Sequence, residues 1–455
     1  MFQHFEEIAV AFGNLAWGPP LLILLVGGGL FFLGYARFIP YRYLGHAWDI
    51  LRGKYDSPDD PGQIDHYEAL STALAATVGM GNISGVAVAI TTGGPGALFW
   101  MWMSALVGMA TKFFTCTLAV MYRGEDSEGE VQGGPMYVIR EGMGKKFNWL
   151  AVFFCICGMI GTMPFFQANQ LTQLIHDIAL TPNGVVPTDL SKFLVGFGIL
   201  VLVSLVIFGG ITRIGTVAGK LVPTMVVVYA LSVSYILVTH LPEIPAALWL
   251  IIEDAFTGEA VLGGALGSLI IAGVRRAAFS NEAGIGTAPM AHGAAKTDEP
   301  IREGLIAMLG PMIDTIIVCT LTALAIIVSG DWMNSNEEAI TVTLRAFGTS
   351  IPFVGEYLLL ACAAIFSLTT MFSMSYYGTK CAGYLFGAEN QRYYNFFYVM
   401  SIVVGAMVQI DAALGIIDGC YALMAIPTMV STFYLAPKVM QAANEYFRKL
   451  RKETA

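Results

Sequence analysis

Charge is scarce in this chain. Only 13% of its 455 residues are Asp, Glu, Lys or Arg, about half the share found in soluble globular proteins. A folded chain of this length cannot cover its surface with so few charges. That excludes a cytosolic enzyme, a nucleic-acid binder and a disordered scaffold. The net charge of -9 is small and scattered, so no polyanionic partner is indicated. Cysteine is sparse as well. The seven cysteines fall in or beside apolar runs, and Cys155-Ile156-Cys157 is not a CxxC pair. They read as small buried hydrophobes. The chain has no P-loop and no GxSxG, and Ser280 and His292 lack a catalytic spacing, so neither ATP-driven transport nor an enzymatic activity is expected. Its six histidines lie mostly at the ends of apolar runs, which argues against haem and redox-subunit roles, and no organic cofactor is expected. Residues 1–11 carry Glu6 and Glu7 but no Lys or Arg, so they lack the basic start of a secretory leader.

What is present is apolar. Hydrophobic residues make up 56% of the chain, with 50 Gly and 28 Phe. A helix crossing a hydrocarbon core needs about 20 mostly apolar residues. Eleven runs qualify, at 18–37, 67–92, 97–121, 148–178, 192–210, 214–239, 262–292, 303–330, 354–385, 393–411 and 412–436. The expected architecture is therefore an all-α polytopic membrane protein whose surroundings are the lipid bilayer. Alternating these spans puts 19 of the 24 Lys and Arg residues on one side, and only Lys192 and Arg345 on the other. The positive side is cytoplasmic. The N-terminus is then outside and the C-terminus inside the plasma membrane. Trp249, in the acidic outer stretch from Glu243 to Glu259, suggests a short interfacial helix. The tail from Gln441 to Lys452 reads as a basic amphipathic helix on the inner leaflet or as a solvated tail.

Two spans contain glycine where an unbroken helix does not want it. One reads Val78-Gly79-Met80-Gly81-Asn82 and the other Glu282-Ala283-Gly284-Ile285-Gly286. The two Gly-x-Gly cores lie 205 residues and five spans apart, so their helices run in opposite directions. A five-plus-five inverted repeat preceded by one extra helix predicts this arrangement. Its parts are 1–66 (extra helix and linker), 67–239 (first repeat), 240–261 (outer connection), 262–436 (second repeat) and 437–455 (basic tail). Close helix packing is the alternative use of such glycines. Unwound backbone inside a membrane must find partners for its N–H and C=O groups. Half-helix N-termini suit a carboxylate and freed carbonyls suit a cation.

At these residues the chain resembles the alanine/glycine:cation symporter family. The likeness is carried by Thr72 to Ile83, Gly93 to Trp102, Phe279 to Pro289, Gly310 to Thr315 and Ser375 to Gly378. It implies a fold of leucine-transporter type and a symporter that uses Na+, or less often H+, to import small neutral amino acids by alternating access. No obligate protein partner is implied. Carried over by position, the N–H groups of Met80 and Gly81, next to Gly79, would hold the substrate carboxylate. Asn82, Ser280 and the Thr77 carbonyl would form one cation site. The Ala75 and Val78 carbonyls with the Thr369 and Thr370 hydroxyls would form a second. Phe279 would cover the substrate beside Gly284. Gln167 and Gln170 would supply amides, with interhelical hydrogen bonding as their alternative. Met371 and Met374 would face the substrate side chain.

Two positions depart from the family pattern. Met80 stands where many members have Thr, and Ser373-Met374 stands where many have Gly-Trp. A flexible wall replaces a rigid one, which opens the choice between alanine or glycine and a larger neutral amino acid such as glutamine. A passive channel is the competing class, and it would need a polar stripe along several spans.

Ionisable residues inside spans are functional candidates. Arg275 or Arg276 with Asp411 forms an expected outer gate, the alternative being arginines that reach headgroups or water. Glu282 either caps the broken segment, binds the substrate amine or carries a proton. Asp314 is expected to support the first cation site. Lys112 and Asp418 receive no role.

Overall fold

The computed structural model describes residues 2–57, 60–256, 265–334, 339–407 and 411–453. The described chain is almost wholly helical, with one small hairpin pairing Gly124–Glu125 and Val131–Gln132. Eight of the described helices are long and apolar enough to cross a membrane, and a bent pair, His66–Thr77 with Gly81–Gly93, brings the number to nine. Two further helices in expected spans, Ala265–Asn281 and Gln391–Met407, have 17 residues each.

Burial sorts these helices into a centre and a periphery. Ala97–Met121 is 89% buried across its apolar window, whereas Asp189–Ile207 is 22% buried. The latter exposes Leu190, Phe193, Leu194 and Leu205, the surface expected of a helix that faces lipid. A helix forms at Ile244–Asp254, in the stretch expected to hold one, with Trp249 exposed. Its Asp254 carboxylate accepts the Gly96 N–H at 2.7 Å.

Both ends of the chain carry more structure than the apolar pattern indicated. A helix at Phe2–Ala16 precedes the first expected span and packs on Asp411–Leu423. Glycines allow the close approach, since a Cβ on Gly415 would stand 2.4 Å from the Ala9 carbonyl oxygen. The basic tail is helical and two-faced, with Arg448, Lys449, Arg451 and Lys452 exposed. It continues the helix Ala425–Glu453, with Phe447 stacked on Tyr43 at 3.9 Å and the Tyr446 hydroxyl 2.6 Å from His46 Nε2. Tyr446 and Phe447 provide its buried face.

The first broken helix starts at a capping box. The Asp65 carboxylate accepts the Glu68 N–H at 2.7 Å, and Glu68 reaches back to the Asp65 N–H. Its first residue, His66, meets the other broken helix through one acid. Glu303, fully buried, accepts from His66 Nδ1 and, at 2.5 Å, from His292 Nδ1. His292 ends the short helix Ala288–His292. Arg123 closes the same region by donating to the carbonyls of Gly293, Thr297, Pro61 and Ala295. Removing a buried charged partner commonly costs about 3–5 kcal/mol. Glu303→Ala is therefore expected to lower the thermal midpoint of the detergent-solubilised protein by several degrees, with Glu303→Gln in between. An unchanged midpoint would show that the clamp contributes nothing.

Candidate functional site

The two breaks meet at the centre of the molecule. The first helix leaves α geometry at Val78, with φ -77° and ψ 91°. The Gly79 N–H then donates to Asn82 Oδ1 at 2.8 Å, so the Asn82 side chain replaces a lost helical acceptor. The chain resumes in a wide turn over Gly81–Gly85 and bends by 54° overall. In the second break Glu282, Gly284 and Gly286 all have positive φ, at 56°, 87° and 109°. The Thr287 hydroxyl donates to Glu282 Oε2 at 2.5 Å, and the Thr428 hydroxyl donates to the Ile285 carbonyl at 3.0 Å.

Between the breaks lies a small cavity of about 40 Å³. Thr77, Gly79, Met80 and Gly81 form one wall, Phe279 and Glu282 another. Phe166 and Gln167, Thr370 and Met374, and Asp418 and Tyr421 complete it from three further helices. Phe279 sits in an aromatic cluster, with ring centroids 6.0 Å from Tyr421 and 6.4 Å from both Trp17 and Phe166. Several residues singled out in the sequence stand elsewhere. Gln170 turns towards Asn169 at 3.5 Å. The Met371 carbonyl accepts from the Tyr398 hydroxyl, and its side chain is buried outside the cavity lining. Gly284 faces Leu25, Met429 and Thr111.

Directly behind the cavity wall is a buried polar knot. Asp314 accepts from Asn82 Nδ2 at 2.6 Å, from the Ser280 hydroxyl at 2.7 Å and from the Thr315 hydroxyl at 2.8 Å. Asn82 and Ser280 also touch, at 3.3 Å. The fully buried Lys112 lies in the field of Glu282 and Asp314. Asp314 thus joins the two breaks, a larger part than the support expected of it. Lys112 had no assigned role. The signal for both was a lone charge inside an apolar run.

The residues of the second expected cation site are brought together in part. The Thr370 hydroxyl donates to the Ala75 carbonyl at 3.0 Å and stands against Gly79. The neighbouring Ser373 hydroxyl donates to the Thr72 carbonyl at 2.8 Å. Thr369 bonds within its own helix, to Ile365 at 2.9 Å and Phe366 at 3.1 Å. Val78 is buried at the break.

Towards the side bearing Arg275, a depression of about 600 Å³ is lined by Glu6, Glu7, Asn14, Arg275 and Asp418. Asp418 lines this depression and the central cavity alike, in the field of Arg275 and Arg276. Arg275 donates to Asn14 Oδ1 at 3.2 Å. The Asp411 side chain lies outside the described residues. Asp418, seven residues on from Asp411 in the same helix Asp411–Leu423, thus brings an acid into the field of these arginines.

Comparison with known proteins fits this geometry. The model of the sodium:alanine symporter family matches residues 2–455. A relative named sodium/alanine symporter AgcS, from Methanococcus maripaludis, is 36% identical over 461 residues, covering 100% of this chain and 99% of its own. A probable sodium/glutamine symporter, GlnT of Bacillus subtilis, is 30% identical and covers 99% of this chain and 92% of its own. An uncharacterised transporter of Haemophilus influenzae is 40% identical, covering 98% and 97%. A crystal structure of MhsT in complex with L-phenylalanine shares the leucine-transporter type of fold, with a TM-score of 0.55 at 11% identity, covering 84% of this chain and 98% of that one. The chain belongs to the sodium:alanine symporter family, and it is a multi-pass membrane transporter rather than an enzyme.

Proposed function

We propose that this protein is a Na+-coupled symporter that imports a small neutral amino acid across the plasma membrane by alternating access. The observation that carries the reading is the pair of helix breaks facing one central cavity, with the Asp314 knot behind it. The Met80 and Gly81 N–H groups are at hand for a carboxylate. Asn82, Ser280 and the Thr77 carbonyl, now joined by Asp314, supply hard oxygen ligands of the kind a small cation takes. Ala75 and Thr370, with Val78 and Thr369 near them, supply the second group. Arg275 and Arg276 with Asp418 would close the outer side. Eleven spans and a five-plus-five inverted repeat accord with the opposed breaks and with a helix in every expected span. The distribution of Lys and Arg supports an outer N-terminus and a cytoplasmic C-terminus. A thermal-shift screen of the proteinogenic amino acids in Na+ and in choline tests the proposal. Stabilisation by neutral amino acids that requires Na+ is expected. Stabilisation by none would overturn it, and uptake stimulated by a proton gradient alone would replace the ion.

Substrate size is the open choice within this reading. Met80, Met374 and Gln167 all line the cavity, and a relative bears the name of a glutamine symporter. A medium-sized side chain would fill the space beside two thioethers better than a methyl group, because unfilled apolar volume forfeits dispersion contacts. Met374→Trp is expected to shift preference towards alanine and glycine by about tenfold, the scale of one methylene in a fitted pocket. Competition assays with alanine and glutamine check this. An unaltered ranking would mean that Met374 only packs.

A further inference from the structure

A second, larger cavity opens on the opposite side of the same long helix, Gly355–Phe386. Its volume is about 1080 Å³. Met374 lines the central cavity and Lys380 lines this one. Six residues of helix separate them, a rise of about 9 Å. The cavity lies among Lys296, Glu389 and Arg392, on the side that the basic residues mark as cytoplasmic.

Lys380 is an unusual wall residue. It is buried, at 6% exposure, with its ammonium 5.2 Å from the centroid of the Tyr376 ring. Among the described residues it forms no ion pair. Asp126 lies in its field, but that carboxylate is engaged by Gln132 Nε2 at 2.7 Å and by the Glu128 and Glu130 N–H groups at 3.0 Å. The rim charges offset one another, Lys296 and Arg392 against Glu128 and Glu389. The excess positive charge is the deeper one. Gln132, on the same wall, has its Oε1 buried without a hydrogen-bond partner. An ammonium on a buried side chain with no ion pair, and a buried amide oxygen with no hydrogen-bond partner, are costly. A zwitterion satisfies both at once, with its carboxylate on Lys380 and its ammonium on the amide oxygen.

We propose that this cavity is an exit station for the transported amino acid, in which Lys380 takes the carboxylate and Gln132 the ammonium after release from the central cavity. The inference rests on the amino-acid symport reading and adds to it a binding site on the cytoplasmic side. It predicts an asymmetry between the two faces of the membrane. L-alanine and L-glutamine are the probes, in proteoliposomes with equal Na+ on both sides. Lys380→Met is expected to raise the half-saturating internal concentration for efflux about tenfold, the loss of one charge-assisted contact, with external half-saturation for uptake changing less than about twofold. Gln132→Leu, an independent variant, is expected to act in the same direction, and Lys380→Arg to keep the internal value near that of the parent.

An unchanged internal half-saturation would overturn the proposal, as would a parallel rise on both faces. An effect of Lys380→Met that disappears in liposomes of purely zwitterionic lipid would overturn it too, assigning Lys380 to an anionic headgroup instead. If the parent protein moves neither probe in Na+, the symport reading falls first and this site with it. If the parent transports and only the asymmetry is missing, the exit station alone is refuted.

Discussion

Asp314→Asn is expected to lower Na+-stimulated uptake about 100-fold or more, while the protein still elutes as a single folded species. The substitution preserves shape and removes charge. In the parent, both carboxylate oxygens accept, one from Asn82 and the other from Ser280 and Thr315. An amide in the same place turns one acceptor into a donor, so a buried N–H or O–H loses its partner. Hydrogen bonds to a charged group contribute about 1.5–3 kcal/mol each. The buried Lys112 also loses one of the two carboxylates in whose field it sits. The carboxylate that touches Asn82 and Ser280 directly is then gone, and Glu282 is left as the other acid in that field. Ser280→Ala keeps the carboxylate and should have the milder effect, about tenfold. Uptake assayed over a series of Na+ concentrations checks both. Normal Na+ dependence in the Asn variant would make Asp314 a structural residue only.

Gly286→Ala is expected to cut the folded yield and the thermal midpoint sharply. Gly286 has φ 109°, where an L side chain is strained. A Cβ there would also stand 2.3 Å from Thr428 Oγ1, 2.7 Å from a Phe154 ring carbon and 2.9 Å from Pro135 Cγ. Three separate helices would have to move. Overpacking alone costs about 1–3 kcal/mol, and backbone strain adds about 1–3 kcal/mol. Gly81→Ala is the informative contrast. Its added Cβ would meet only the Phe279 ring, at 3.7 Å, an ordinary contact. That variant should fold normally and lose affinity for amino acids, because the methyl group enters the space beside the Met80 and Gly81 N–H groups. Folded yield and thermal midpoint, measured on the two variants side by side, separate the effects. Normal yield of Gly286→Ala would contradict the described second break.

The helices and their breaks were legible because their signals are local. Apolar runs of sufficient length and the glycines at 79, 81, 284 and 286 report directly on backbone conformation. Charge far from its partner was not legible. Asp314 joins Asn82 across 232 positions, and Glu303 joins His66 across 237. A single sequence gives no reason to pair such residues before the helices are placed. The arginine gate illustrates a partial reading. Arg275 and Arg276 stand out as charges inside a span, and among the described side chains Asp418 is an acid in their field, which no local signal pairs with them. The helix at Phe2–Ala16 escaped notice because Glu6 and Glu7 interrupt its apolar run and its packing relies on glycines of a helix about 400 residues away.

Coupling is the central claim, and accumulation is its most direct test. Purified protein is reconstituted into liposomes, and labelled alanine and glutamine are supplied outside with an inward Na+ gradient, with choline in place of Na+, or with a proton gradient alone. The account predicts that at least one of the two accumulates above its external concentration only with the Na+ gradient, and that accumulation collapses when the gradient is dissipated. Equilibration at the same rate in Na+ and in choline, with no accumulation, would contradict it and leave a passive pore.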